Sequence, residues 1–317
     1  MFNIRSPRRP PVWQERLGTR LLFALSPRMP RIPRTQQLAP PSGLDPYEEL
    51  RIERSCGPGA LTATWFPAIG AARGAVLLLH PWVVWGKAYF HRWGRIEALR
   101  AAGYHVLTPD LPGFGGSGRR TGFLDRDVEA CLGELRRRSG DLPLHVWGVS
   151  AGGYWAHPVL ARTREVAGAV FEDVSPHLLE WSWRLAPWGR PCYAFFRFVL
   201  RQAYRFLDMR RHAAAMDLAH VLYVSGSEDR GVRPDDTAEL ARLAGGDFLV
   251  IDGAGHLGAI KVANDEVLDW ALDTLEQAVI PHPWPLSQPS TRPAGERGTN
   301  QFTPRAGEVR AARRSRA

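Results

Sequence analysis

Apolar residues follow two alternating patterns along the middle of the chain. Short, almost continuous apolar runs are typical of strands buried on both faces of a sheet. Segments with an apolar residue at every third or fourth position are typical of amphipathic helices. The predicted strands cover residues 47–54, 61–66, 75–79, 104–108, 144–149, 166–171, 221–225 and 248–251. The predicted helices cover residues 87–102, 125–138, 151–163, 235–244 and 264–279.

The alternation of these strands and helices predicts an α/β fold. Units of this kind build a mostly parallel, doubly wound sheet with helices on both faces. In such sheets the chemistry takes place beyond the carboxyl ends of the strands, so polar residues at those ends are the first candidates for a site. The pattern spans residues 47–280 and is interrupted at about 176–217 by an aromatic- and arginine-rich helical segment, which predicts a cap over the sheet.

Two terminal segments fall outside this alternation. Residues 1–46 form a basic, Pro/Arg-rich N-terminal extension, which we expect to be mostly unstructured apart from a short amphipathic helix over residues 13–25. This helix could contact a membrane surface or a partner, or it could simply pack loosely on the domain. Residues 281–317 are rich in Pro, Ser, Gly and Arg and predict a disordered basic tail.

Composition narrows the class of protein. Of 317 residues, 44% are hydrophobic and 23% are charged, as expected for a globular protein with a sizeable core. No apolar run is long enough to span a membrane, and residues 21–25 are too short for the core of a signal peptide, so we expect a cytoplasmic protein. The cysteines, Cys56, Cys131 and Cys192, lack metal-binding spacing and suit a reducing compartment.

The net charge of +9 is concentrated at the two ends of the chain. Residues 1–34 carry +7 and residues 281–317 carry +5, which leaves −3 for the rest. A basic face on the folded domain, which nucleic-acid binding would need, is therefore not expected.

The strand at residues 144–149 leads into the strongest motif of the chain. Gly148-Val149-Ser150-Ala151-Gly152 has the form Gly-x-Ser-x-Gly, with a predicted strand before it and a predicted helix after it. This context predicts a nucleophile elbow, a sharp turn that strains the serine backbone and exposes the hydroxyl. The five residues alone are equally compatible with an ordinary turn, so the chain must also supply a base and an acid.

His256 and Asp229 are the candidates for those two roles. His256 follows the last predicted strand, in Gly253-Ala254-Gly255-His256, where glycines let the imidazole approach other backbone. Asp229 follows the preceding strand, in Gly226-Ser227-Glu228-Asp229, although an aspartate there could also cap its own turn. Asp173, after the strand at residues 166–171, is the alternative acid.

The order Ser150, Asp229, His256 is that of the α/β-hydrolases, and residues 47–280 resemble this superfamily. The resemblance also rests on His80-Pro81-Trp82 and on residues 110–117, Asp-Leu-Pro-Gly-Phe-Gly-Gly-Ser. It implies a serine hydrolase in which Ser150 is the nucleophile, His256 the base and Asp229 the acid that orients the base. A serine at the elbow argues against dehalogenase and epoxide-hydrolase chemistry, since the related families carry aspartate there.

The resemblance also implies an oxyanion hole formed by the backbone amides of Ala151 and Trp82. Members of the superfamily usually carry His-Gly-x after the corresponding strand, whereas this chain has His80-Pro81-Trp82. Proline cannot donate a hydrogen bond, but the expected donor is the next amide along the chain. Pro81 could still alter this loop, for instance through a cis peptide bond.

A second motif, Gly113-x-Gly115-x-x-Gly118, matches a dinucleotide-binding pattern. In a genuine site the glycines lead straight into a helix, but residues 119–122 delay the next helix here. We therefore expect no nucleotide cofactor, and the triad chemistry needs no metal.

The expected function is hydrolysis of a small carboxylic ester or thioester through an acyl-enzyme. The same triad could instead support C–C bond hydrolysis, lactone opening or acyl transfer, and the fold could serve a non-catalytic binding protein. Aromatic side chains of the cap could line the substrate pocket or pack the cap onto the sheet. Arg197, Arg201 and Arg205, spaced by four, could meet lipid headgroups or only water.

Overall fold

The computed structural model describes residues 6–25, 40, 43–83, 85–180 and 189–279. These residues belong to one compact unit. The tail predicted at residues 281–317 lies outside the described residues, as do residues 26–39 of the N-terminal extension.

The strands pair into one sheet with the order β1-β2-β4-β3-β5-β6-β7-β8 within the described residues. Only β2 is antiparallel to its neighbours, β1 and β4, while all other pairs are parallel. The strands are β1 (Glu48–Ile52), β2 (Leu61–Phe66), β3 (Gly74–Leu79), β4 (Tyr104–Pro109), β5 (Leu144–Val149), β6 (Val166–Glu172), β7 (His220–Gly226) and β8 (Asp247–Ile251). The predicted mostly parallel, doubly wound sheet is therefore confirmed. Its central strands β3 and β5 are buried along their whole length, which explains their continuous apolar sequence.

Helices cover both faces of this sheet and bury a separate hydrophobic cluster on each. The helices are α1 (Val12–Leu25), α2 (Arg95–Ala101), α3 (Asp125–Ser139), α4 (Ala151–Leu160), α5 (Gly189–Phe198), α6 (Arg201–Phe206), α7 (Met209–Ala213), α8 (Pro234–Ala244), α9 (Ala259–Val262) and α10 (Asn264–Val279). On one face lie α1 and α3–α8, and on the other lie α2, α9, α10 and a 3₁₀ helix (Gly86–Arg92).

The prediction of a single helix over residues 87–102 is wrong. The structure divides this segment into the 3₁₀ helix and α2, with Gly94 between them. Gly94 has a φ of 69°, which is a left-handed conformation that a right-handed helix cannot contain. The apolar periodicity continues across the break, so periodicity alone could not reveal it.

The short helix predicted over residues 13–25 of the N-terminal extension is present as α1, and residues 6–25 pack on the domain. Arg9 forms ion pairs with Glu15 and with the fully buried Asp125 at the start of α3. Glu15 also accepts a hydrogen bond from the amide of Phe123, at 2.9 Å. Helix α1 is therefore joined to the domain by polar contacts, which hydrophobic patterning does not register.

Helices α5–α7 lie within the segment predicted to form the cap. Helix α7 contacts α4 and α8, and the hydroxyl of Tyr154 in α4 donates a hydrogen bond to the carbonyl of Leu207. The predicted cap segment is thus anchored on the helix that follows the predicted elbow. Residues 181–188 of the segment lie outside the described residues.

Candidate active site

Ser150 lies at the sharp turn between β5 and α4, as the elbow motif predicts. Its backbone has φ 47° and ψ −111°, a conformation that is strained for any residue with a Cβ. The turn is held on both sides. The amide of Ser150 donates to the carbonyl of Glu172 at 2.7 Å, and the carbonyl of Ser150 accepts from the amide of Tyr154 at 2.8 Å. Backbone bonds to β6 and to α4 thus keep the strained serine in place.

Two glycines make this turn sterically possible. A Cβ on Gly148 would lie 2.4 Å from the Cα of Gly153, within the turn itself. A Cβ on Gly152 would lie 2.2 Å from the carbonyl oxygen of Leu79, at the end of β3. No side chain can be accommodated at these distances, so the Gly-x-Ser-x-Gly pattern reflects close backbone approach.

His256 connects Ser150 with Asp229. The distance from Ser150 Oγ to His256 Nε2 is 3.2 Å, and His256 Nδ1 lies 2.7 Å from Asp229 Oδ2. A carboxylate only accepts hydrogen bonds, so Nδ1 carries the proton and the lone pair of Nε2 faces the serine hydroxyl. This is the arrangement in which an imidazole can take a proton from serine.

The loop after β7 fixes the Asp229 carboxylate. Its side chain is fully buried, and Oδ1 accepts two hydrogen bonds, from the amides of Gly231 and Val232, both at 2.8 Å. The other oxygen, Oδ2, is thereby directed at His256. Asp229 does cap its own turn, and with its second oxygen it also orients the imidazole, so the two interpretations of this residue are compatible.

Asp173, the alternative acid, lies beside the same imidazole but contacts the backbone. Its Oδ2 accepts a hydrogen bond from the amide of Leu257 at 2.7 Å, while Oδ1 is buried with no hydrogen-bond partner among the described residues. Asp173 therefore holds the loop that carries His256. Asp173, Asp229 and His256 place potential metal-ligand atoms within 4.8 Å of one another. Because His256 Nδ1 and Asp229 Oδ2 are already hydrogen-bonded to each other, the group fits an imidazole oriented by a carboxylate better than a cation site.

The two carboxylates raise the pKa of His256. Burial alone would lower this pKa, but the hydrogen bond that His256 donates to Asp229 and the charges of Asp173 and Asp229 outweigh it. Burial raises the pKa of Asp173 to about 7, with the charge of His256 opposing the shift. The imidazolium and the ionised Asp173 stabilise each other, so they titrate as a pair.

We expect kcat/KM for a neutral ester to fall on acidification through an apparent pKa above 6.5, the ordinary value for histidine. The reason is that only the neutral imidazole can accept the serine proton. Asp173→Asn removes a negative charge that stabilises the imidazolium, so this limb of the profile should move to lower pH. Rates measured from pH 5 to 9 for both proteins test this, and a shift to higher pH in the variant would contradict it.

The loop after β3 carries Trp82 and starts beside the elbow, where a Cβ on Gly152 would lie 2.8 Å from the carbonyl oxygen of His80. His80 is fully buried; its Nε2 accepts from the amide of Leu111 at 2.9 Å, so its Nδ1 carries the proton and donates to the carbonyl of Pro81 at 2.7 Å. The peptide before Pro81 is trans. In the following planar peptide the amide of Trp82 points away from the carbonyl that His80 holds. Burial lowers the pKa of His80, which keeps the ring neutral.

Ala151 supplies the other predicted oxyanion donor. It is the first residue of α4, so its amide has no acceptor within the helix and lies at the positive end of the helix dipole. The close approach of Gly152 to the backbone of Leu79 and His80 brings the start of α4 against the loop that carries Trp82. The two amides therefore belong to adjoining segments.

A buried ionic network behind the elbow was not predicted from the sequence. Arg95 in α2 is fully buried and forms two hydrogen bonds with Glu172, at 2.5 and 3.0 Å. Glu172 also accepts from the indole nitrogen of Trp147 at 2.6 Å, and Arg95 donates to Asn264 at 3.2 Å. The one visible signal was an acidic pair, Glu172-Asp173, at the end of an apolar strand.

The glycine-rich loop at residues 113–118 does not form a dinucleotide site. Its ends are joined by a hydrogen bond from the amide of Gly113 to the carbonyl of Gly118, at 2.9 Å. Helix α3 begins only at Asp125, so no helix N-terminus faces the glycines. The loop instead surrounds the carboxylate of Asp110, which accepts from the amide of Lys87 at 2.9 Å.

Comparison with known proteins agrees with this fold. Residues 74–188 match a family model described as alpha/beta hydrolase fold. An esterase of Pyrococcus furiosus is 20% identical over 80% of this chain and 99% of its own, with a TM-score of 0.62. A thermophilic esterase of Thermogutta terrifontis is 19% identical over 73% and 99%, with a TM-score of 0.52. The alpha/beta hydrolase GrgF of a Penicillium species is 14% identical over 74% and 99%, with a TM-score of 0.58. No curated protein matches the sequence.

The chain therefore has the α/β-hydrolase fold, and the resemblance found in the sequence is confirmed. Esterases are among the proteins whose structures it resembles. None of the described helices is both long and apolar enough to cross a bilayer.

Proposed function

We propose that the protein is a serine hydrolase that cleaves a small or medium-sized carboxylic ester or thioester. The observation that carries the proposal is the continuous contact from Ser150 through His256 to Asp229, in the chain order of the superfamily. The strained elbow and the two adjoining backbone amides support it, since acyl transfer needs an exposed nucleophile and a place for the oxyanion.

The reaction begins with attack of Ser150 Oγ on the substrate carbonyl while His256 Nε2 takes the hydroxyl proton. The tetrahedral oxyanion accepts hydrogen bonds from the amides of Ala151 and Trp82. His256 then returns the proton to the departing alcohol or thiol, which leaves the acyl group on Ser150. Water attacks this acyl-enzyme, again with His256 as base, and releases the acid and the free serine. Asp229 stays ionised and stabilises the imidazolium in both steps.

Hydrolysis of the acyl-enzyme requires that water reach the base. The side chain of His256 is 29% exposed, so water can reach the nitrogen that would activate it. C–C bond hydrolysis and lactone opening by the same triad remain alternatives that a substrate panel distinguishes. No described feature favours either of them.

Labelling with a fluorophosphonate tests the proposal directly. The reagent phosphonylates a serine, with loss of fluoride, only when a neighbouring base activates the serine and an oxyanion hole receives the phosphonyl oxygen. We expect one adduct per chain, located at Ser150 by mass spectrometry, and none on Ser150→Ala. Wild-type protein that reacts no faster than Ser150→Ala would refute the proposal and leave a non-catalytic binding protein of this fold.

A panel of p-nitrophenyl esters and acyl thioesters of increasing chain length then identifies the substrate class. Ser225→Ala is a matched control, because Ser225 is fully buried in β7 and its hydroxyl forms no hydrogen bond in the described part of the chain. This variant should retain both labelling and turnover.

A further inference from the structure

Helix α1 exposes a stripe that mixes apolar and basic side chains. Four exposed residues form this stripe at intervals of three, one and three positions: Trp13, Arg16, Leu17 and Arg20. Trp13 is 56% exposed, an unusual degree for a tryptophan. The opposite stripe of α1 is buried against the domain, so the exposed stripe is not the face with which the helix packs.

The adjoining cap helices expose side chains of the same two kinds. Phe198, at the end of α5, is 72% exposed, and the following Val199 is 52% exposed. Arg197, Arg201 and Arg205 of α5 and α6 are exposed as well. We call these exposed residues of α1, α5 and α6 the cap patch.

Contacts on the buried side of α1 join this helix to α5 and α6. A Cβ on Gly18 would lie 3.0 Å from the ring of Phe196 in α5, so the two helices are in close contact. Gln14 accepts a hydrogen bond from the amide of Ala203 in α6, at 3.1 Å. The exposed stripe of α1 is therefore carried by a helix that packs directly against both α5 and α6.

The cap patch carries positive charge with no acidic residue to balance it. Within the described parts of the three helices, the one acidic residue is Glu15, which is buried and paired with Arg9. The five arginines of the patch form no ion pair in the described part of the chain. Arg197 instead lies over the ring of Phe198, with 6.0 Å from the guanidinium carbon to the ring centre.

Charge decides which occupant suits this surface. The segments of the chain outside the structure do not suit it, because they are basic like the patch. Residues 26–39 hold three arginines and no acid, and residues 281–317 hold seven arginines and two glutamates. A second copy presenting the same patch would place arginines against arginines. An anionic surface with an apolar layer beneath it complements both kinds of side chain at once.

We propose that the cap patch docks the protein on the surface of an anionic lipid membrane. Trp13, Leu17 and Phe198 enter the boundary between headgroups and acyl chains, and the arginines bind lipid phosphates. The contact is peripheral, in keeping with the finding that no described helix could cross a bilayer. This proposal does not depend on the hydrolase activity.

Sedimentation of the full chain with lipid vesicles tests the docking. Vesicles of phosphatidylcholine containing phosphatidylglycerol should bind the protein at least ten times more tightly than phosphatidylcholine alone at about 0.1 M salt, and the difference should shrink at about 1 M. Each arginine near an anionic surface strengthens binding roughly fivefold, so R201Q/R205Q should lower the partition coefficient roughly 25-fold. The variant W13S/F198S should lower binding to the same vesicles without changing its salt dependence.

The matched control is R51Q/R242Q, which removes two exposed arginines from β1 and α8 and leaves the patch intact. It should bind vesicles almost as the wild type does. Equal losses in R201Q/R205Q and R51Q/R242Q would overturn the proposal, since they would assign binding to overall charge. Unchanged binding in both patch variants would also overturn it, in favour of the basic terminal segments. A parallel titration with duplex DNA that shows a greater loss for R201Q/R205Q than the vesicles do would assign the patch to nucleic acid instead.

Discussion

Asp229→Asn is expected to lower kcat/KM for a short p-nitrophenyl ester roughly 10⁴-fold. The asparagine side chain can accept hydrogen bonds only through its single oxygen. The backbone amides of Gly231 and Val232 hold the oxygen at this position away from His256. The amide NH₂ group would then face Nδ1 and favour the tautomer with the proton on Nε2. In that tautomer the nitrogen that faces Ser150 has no lone pair for the serine proton.

Asp173→Asn is the matched control for this prediction. Asp173 also lies beside His256, but it bonds the amide of Leu257, and an asparagine oxygen can accept the same bond. We expect a loss of no more than about tenfold at the optimal pH, since the variant keeps the imidazole orientation that Asp229 sets. A greater loss in Asp173→Asn than in Asp229→Asn would reassign the acid to Asp173 and contradict the proposed triad.

Glu172→Gln is expected to lower the free energy of unfolding by about 3–5 kcal/mol. The glutamine can still accept from Trp147, but Arg95 would keep its charge in a fully buried position without a counter-ion. Urea unfolding at pH 7, followed by tryptophan fluorescence, gives the value. For a domain of this size the melting temperature should fall by about 10 °C.

The double variant R95M/E172Q separates the charge effect from packing. Without the guanidinium there is no buried charge to desolvate, and the glutamine keeps the acceptor for Trp147. We expect the double variant to recover at least half of the stability lost in Glu172→Gln, as a coupled pair should. If the double variant is as unstable as the sum of the two single variants, the pair is not what stabilises this region.

The sheet and the proximity of Ser150, Asp229 and His256 could be predicted because each depends on a local feature of the sequence. Ser150 follows a strand and is flanked by Gly148 and Gly152, where an added Cβ would lie only 2.4 and 2.2 Å from neighbouring backbone atoms. Asp229 and His256 follow successive strands, and parallel strands bring their carboxyl ends to one edge. The positions of Asp229 and His256 directly after parallel strands were therefore enough to predict that they lie close together.

Other features depend on contacts between distant residues and leave no local pattern. The bond between Arg95 and Glu172 joins α2 to β6, and nothing near either residue identifies the other. The docking of α1 depends on Gln14, Glu15 and the absence of a side chain at Gly18, all of which look unremarkable in a helix. The sequence also allowed either Asp173 or Asp229 as the acid, because both follow strands at the same edge.

The backbone carbonyl of Glu172 accepts a hydrogen bond from the amide of Ser150, while the carboxylate of Glu172 pairs with Arg95 in the interior. The nucleophile is consequently supported by the same residue that anchors the hydrophobic interior on that side. Fraying of the surface loops would leave the elbow intact, and its distortion would require the domain to open. Loss of the elbow geometry should then coincide with cooperative melting and proceed at the rate of global unfolding.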